Sequence, residues 1–173
     1  MSVKAFSRTA ENRDAFAKSM TDSLGVPVSS ASAAQEVVEG SDIVICIAAA
    51  TEPVVKGEWL ATGTTLIGAG PTTWRIREVD DATLVRADKI FVDSAEQVRD
   101  EAGDMASSVD RGLLQWSQLL ELRHAVAGTV TGRDNHNQII YAKMMGTGVA
   151  DVAAAKLAYD KATEMGLGTE MEW

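Results

Sequence analysis

Ser7-Arg8 directly follows the alternating segment Val3-Lys4-Ala5-Phe6, and this hydroxyl and guanidinium are the first residues whose placement suggests chemistry. In dinucleotide-binding folds the end of the second strand meets the adenosine ribose. There an acid binds the 2′-hydroxyl of NAD, or an Arg accommodates the 2′-phosphate of NADP. No acid stands at this place. A hydroxyl beside a guanidinium favours the phosphate, because Arg offers a charge-assisted, bidentate fork. The plainer alternative is a turn serine beside a solvated arginine. The glycine-rich turn G-x-G-x-x-G, which lets backbone approach a pyrophosphate at a helix N-terminus, is absent from the sequence. Gly68-Ala69-Gly70 follows an apolar run but lacks a third glycine. On spacing alone it reads, with Gly146-Thr147-Gly148 and Gly166-Leu167-Gly168, as a turn or packing pair.

Other reactive side chains point to little chemistry. His124 and His136 have no partners at ligand spacing and read as surface or loop residues. Asp80-Asp81 stands at a helix start, where carboxylates cap the helix and meet its dipole. The single cysteine, Cys46, lies in the apolar run 43–47 and reads as a buried, inert thiol. No disulfide framework and no metal site is expected.

These residues are carried by alternating short strands and helices. Residues 9–24 have helical spacing and stop at Gly25; Val26-Pro27-Val28 is a brief strand. Ser32 caps a helix to Val38, and residues 43–47 form a strand without polar alternation, suited to cover on both faces. Strands at 64–68 and 89–92, a short helix at 80–85 and a helix from Ser94 to Ala102 continue the pattern. This predicts an α/β fold, a doubly wound parallel sheet with ligands beyond the carboxyl ends of its strands. Residues 113–124 and 139–164 read as helix, separated by a polar stretch from Gly128 to Gln138. A boundary near Gly128 therefore divides residues 1–127, a partial dinucleotide-binding domain, from residues 128–173, a helical segment.

The chain has 173 residues, enough for one domain with a core, and its 46% hydrophobic and 24% charged residues exclude a disordered tail. A net charge of −9 disfavours nucleic acid as a partner. No apolar run suggests a membrane span or a signal peptide, so a cytoplasmic location is expected.

Taken together, several segments resemble the ornithine cyclodeaminase and mu-crystallin family of NAD(P)-dependent amino- and imino-acid enzymes. They are Ser7-Arg8; Ser41-Asp42-Ile43-Val44 with Glu52-Pro53-Val54 and Gly57-Glu58-Trp59-Leu60; IGAGPTTWRIREVDDATLVRAD; Val92-Asp93-Ser94 with Glu101-Ala102-Gly103-Asp104; and residues 151–159. The resemblance covers nearly the whole chain in order. It implies that the chain begins at the family's second strand, so that the first strand, its glycine-rich turn and the N-terminal substrate and dimerisation domain are missing. In a sheet ordered 3-2-1-4-5-6 that strand is central. Either the flanking strands re-pair, or the chain is the C-terminal portion of a longer protein.

The resemblance also implies roles. Thr72 occupies the position of the family's catalytic aspartate, six residues before Glu78-Val79-Asp80. A threonine hydroxyl is no general base near neutral pH. The mu-crystallin branch is similar in having a small hydroxyl residue followed by Trp-Arg, which favours a ketimine reductase over a cyclodeaminase. Thr72 is then expected to orient substrate or water. Ser7 and Arg8 hold the adenosine end, Ala48 and Ala49 line the nicotinamide ribose, Gly70 to Thr72 face nicotinamide and substrate, and Ala69 beside them binds the cofactor. Ala48 and Met144 stand where the family is similar in having polar residues. The expected activity is hydride transfer from NADPH, or NADH, to an imino acid by a homodimer whose C-terminal helices return to the dimerisation domain. The alternatives are ornithine cyclodeamination and a truncated, non-catalytic chain.

Overall fold

The computed structural model describes residues 1–70, 73–169 and 171. Strand β1 (Val3–Ala5) leads into helix α1 (Ala10–Leu24), which ends where Gly25 adopts φ 65° and returns its N–H to the carbonyl of Thr21. Only glycine enters that left-handed region without strain. Strand β2 (Val28–Ser30) lies parallel to β1, with Val3 opposite Val28. Helix α2 (Ala34–Val38) then buries Val38 against the main core, and Lys4 from β1 donates to the carbonyls of Glu36 and Glu39 at its end.

The main sheet is parallel throughout. Strands β3 (Ile43–Cys46), β4 (Thr65–Gly68), β5 (Lys89–Val92), β6 (Leu119–Glu121) and β7 (Ile140–Lys143) are arranged in the order β3-β4-β7-β5-β6. Thr65 faces Ile43 on one side and Ile140 on the other, while Ile140 also faces Lys89. Helices α3 (Asp81–Arg86), α4 (Ala95–Glu101) and α5 (Gly103–Asp110) cover the sheet. Asp80 and Ser94 cap α3 and α4 by accepting from the N–H groups of Thr83 and Gln97, as expected for such residues at helix starts. Leu66, Val92, Val98, Met105 and Tyr141 are fully enclosed, each such apolar side chain stabilising the fold by about 1.5–3 kcal/mol.

Three expectations are corrected. Residues 113–124 hold β6 and a short helix α6 (Leu122–Val126) rather than one helix. Residues 139–164 are not continuous helix, because β7 precedes helix α7 (Gly148–Glu164). The apolar, partly β-branched Ile140-Tyr141 pair fits between β4 and β5, and the expected boundary near Gly128 thus precedes a central strand. The run 43–47 is covered on one face only. Val44 and Cys46 are buried, whereas Ile43, Ile45 and Ile47 are 64%, 61% and 71% exposed. No element among the described residues packs over that second face.

The flanking strands do not re-pair. β1 and β2 form a two-stranded sheet of their own, so β1 and β3 each keep an unpaired backbone edge among the described residues. Helix α7 buries none of its residues, and Val149, Val152, Leu157 and Tyr159 are exposed along it.

Candidate functional site

Parallel strands deliver all their carboxyl ends to one edge of the sheet, and the candidate site is built there. The chain leaves β3 through Ala48 and Ala49 and leaves β4 through Ala69 and Gly70. Ala69 donates to the carbonyl of Cys46 at 2.8 Å, which extends the pairing of the two strands by one residue. Beyond it the pairing stops, and the buried carboxylate of Glu78 takes over. Its Oε1 accepts from the N–H of Ala48 at 2.9 Å, and both its oxygens accept from the N–H of Gly70 at 3.1 Å. Glu78 reaches this place because residues 77–79 run beside the loop after β3: Val54 and Val55 donate to its carbonyl, and Val55 bridges Val79.

Buried charge is costly unless it is paired and hydrogen-bonded. Lys143, at the end of β7, answers Glu78 with Nζ at 2.9 Å from Oε2, both side chains being enclosed. Asp104, from α5, lies with Oδ2 at 3.9 Å from Lys143 Nζ and is also buried. Its Oδ1 accepts from Met105, and its Oδ2 has no hydrogen-bond partner among the described residues. Burial therefore raises its pKa above the ordinary carboxylate value, with the nearby ammonium opposing the shift. Burial likewise raises the Tyr141 hydroxyl well above its usual value and, with Glu78 beside it, pushes the Cys46 thiol to about 12. Cys46 is a buried thiol beside the Glu78 carboxylate, and its raised pKa disfavours the reactive thiolate.

The Asp104 shift carries a pH dependence. A carboxyl whose folded pKa is raised contributes stability that is fully present below the unfolded pKa, about 3.9. That contribution is lost as pH rises through the higher folded value. Asp104→Asn keeps an acceptor for the Met105 amide and cannot ionise. The variant is therefore expected to become more stable relative to the native protein as pH rises over this window. Urea midpoints measured across it check this, and parallel pH curves for the two proteins would contradict it.

The glycine pair is a packing device. A Cβ on Gly68 would meet the Tyr141 hydroxyl at 2.8 Å, and one on Gly70 would meet Glu78 Oε1 at 2.4 Å and the Ala48 carbonyl at 2.7 Å. The structure thus brings Ala48, Ala69 and Gly70 together around Glu78, with Ala49 exposed beside them. Ser7 and Arg8 stand apart, beyond the end of β1. Ser7 donates to the carbonyl of Thr9 and its own carbonyl accepts from Arg13, while Arg8 is exposed. Thr72 lies outside the described residues. The buried group Glu78, Lys143 and Asp104 escapes sequence reasoning because its members lie up to 65 residues apart and carry charges that usually mark a surface.

The residues present suit the two ends of a dinucleotide. Arg8 is exposed just beyond β1, and the small residues Ala48, Ala49, Ala69 and Gly70 stand beyond β3 and β4, where no large side chain of their own blocks the sheet edge. A glycine-rich turn for the pyrophosphate is not among the described residues. A cavity of about 480 Å³, lined by Ser41, Asp42, Thr64, Arg133 and His136 among others, lies at the amino ends of β3 and β4. It is at the opposite end of these strands and belongs to no part of this site.

The model of the ornithine cyclodeaminase/mu-crystallin family matches residues 1–166. A Delta(1)-pyrroline-2-carboxylate reductase of Bacillus thuringiensis subsp. konkukian is 30% identical over 99% of this chain and 53% of its own length. The ketimine reductase mu-crystallin of Mus musculus is 34% identical over 91% of this chain and 46% of its own. The structure of the Thermococcus litoralis Delta(1)-pyrroline-2-carboxylate reductase in complex with NADH and L-proline superposes with a TM-score of 0.92 at 35% identity, over 98% of this chain and 53% of that one. The chain spans about half the length of the curated relatives it matches.

Proposed function

Because the chain belongs to the ornithine cyclodeaminase/mu-crystallin family, we propose that it is the C-terminal part of an NAD(P)H-dependent oxidoreductase that reduces a C=N bond alpha to a carboxylate. The observation that supports this reading is its agreement, in sequence and in backbone over almost its whole length, with reductases of cyclic imines. The cofactor supplies the hydride when bound. The chain's own residues hold and orient it. Arg8, with Ser7, binds the 2′-phosphate of NADP at the adenosine end. Ala48 and Ala49 line the nicotinamide ribose, Ala69 and Gly70 face the ring, and the acceptor is a small imino acid. Helix α7, with its exposed apolar residues, returns to a dimerisation or substrate domain, and the active protein is a homodimer. Cyclodeamination is less well supported, since Thr72 stands where the family's aspartate is expected to handle protons.

The test is transfer of deuterium from a deuterated reduced cofactor to the alpha carbon of a cyclic ketimine by the full-length protein. Release of ammonia from ornithine with catalytic NAD, and no such transfer, would overturn the reductase reading. In the same protein, Arg8→Ala is expected to weaken NADPH binding by about tenfold or more, the scale of a lost charge-assisted hydrogen bond. NADH binding should change little. Fluorescence titration with both cofactors checks this, and equal losses for the two would remove the 2′-phosphate from the role of Arg8.

A further inference from the structure

We propose that Glu78 is a positioning residue that fixes the spacing between the loops leaving β3 and β4. The inference rests on the reading above in one respect only, that these two loops face the nicotinamide. Glu78 is fully enclosed, so it does not touch a ligand at the sheet edge. Besides Lys143 and the Cys46 thiol, what it touches is backbone. One carboxylate holds the N–H of Ala48 and the N–H of Gly70, just where the strand pairing between the two chain segments ends. The fit leaves no slack, because even a methyl group at Gly70 would collide with both the carboxylate and the Ala48 carbonyl.

Lys143 makes this arrangement tolerable by pairing with the charge from the third strand end. A buried ion pair gives little net stability over well-packed apolar side chains of similar volume. Stability alone is therefore a weak reason for such a pair, and the two amides give it a specific one. An apolar side chain at position 78 would fill the space and leave both N–H groups without an acceptor. A carboxylate instead holds them through charge-assisted bonds, which are about twice as strong as neutral ones. The loops are thus set by a side chain from a distant segment of the chain, not by their own sequence.

The experiment compares the native chain with Glu78→Gln and with Glu78→Met/Lys143→Met, the second leaving no acceptor at position 78. The single variant leaves the buried ammonium with Asp104 alone, 3.9 Å away, and loses thermal stability; the double variant removes that charge and recovers part of the loss. Hydrogen exchange at the amides of Ala48 and Gly70 is the decisive reading. In the double variant their protection is expected to fall about tenfold or more relative to the core amides of β4 and β7. A role in packing alone would restore protection together with stability. In the full-length protein the double variant is expected to raise the Michaelis constant for the reduced dinucleotide by about tenfold, with that for the imine held within about twofold. Protection retained at both amides, or an unchanged dinucleotide constant, overturns the proposal. Failure of the reductase reading is a separate event: the native full-length protein then transfers no hydride, while the amide measurement still decides whether Glu78 holds the loops.

Discussion

Replacing Lys143 with Met is expected to lower the free energy of unfolding by about 3–5 kcal/mol, the cost of stranding a buried charge without its partner. Met matches the length of the lysine stem, so the packing of β7 between β4 and β5 survives and the loss reports electrostatics. Two carboxylates depend on this ammonium. Glu78 sits at 2.9 Å and Asp104 at 3.9 Å, all three side chains being almost wholly enclosed. Removal of the cation leaves Glu78 either ionised in a poorly polarisable interior or protonated, with its hydrogen bonds to Ala48 and Gly70 weakened. Denaturant titration of Lys143→Met measures the effect. A loss below about 1 kcal/mol, the scale of an exposed ion pair, would show that the cluster is hydrated rather than dry.

The second large effect concerns association. The 173-residue chain alone is expected to self-associate at micromolar concentrations, because β1 and β3 offer unpaired edges and the outer face of β3 presents Ile43, Ile45 and Ile47. Burial of such a side chain contributes about 1.5–3 kcal/mol, and an unpaired edge provides a template for a further strand. Ile45→Lys places a charge in the middle of that face. It is expected to weaken association by about tenfold or more, while fold stability changes little, since the native side chain is already exposed. Sedimentation velocity over a concentration series reads both. A native chain that stays monomeric at every concentration would show that the open face is protected by some other means.

Much of this architecture is legible in the sequence because its signals are local. The helix stop at Gly25, the caps Asp80 and Ser94, and the strands β3, β4 and β5 each follow from neighbouring residues. β7 is hidden because four residues, Ile140–Lys143, carry no period that separates strand from helix, and an Ala-rich helix follows closely. The run 43–47 misleads for a related reason. An apolar stretch states what could be buried, but the cover must come from elsewhere in space. The candidate site divides along the same line. The small residues beyond the strand ends can be read from motif resemblance, whereas Glu78, Lys143 and Asp104 meet only through the crossovers. Their role in holding Ala48 and Gly70 depends on a geometry that spacing does not encode.

The position of β7 also bears on how the molecule assembles. Thr65 pairs with Ile140 and Ile140 with Lys89, so the sheet is joined in its middle by β7, which follows the other four strands in chain order. A nascent chain that has not reached residue 140 holds β3 with β4 and β5 with β6, but has nothing to bridge the halves. Contacts this remote in sequence are slow to form, because the loop between them must close before any pairing rewards it. Folding of the sheet is therefore expected to be late and concerted, with the buried charges of Glu78 and Lys143 brought together in the same step that closes it.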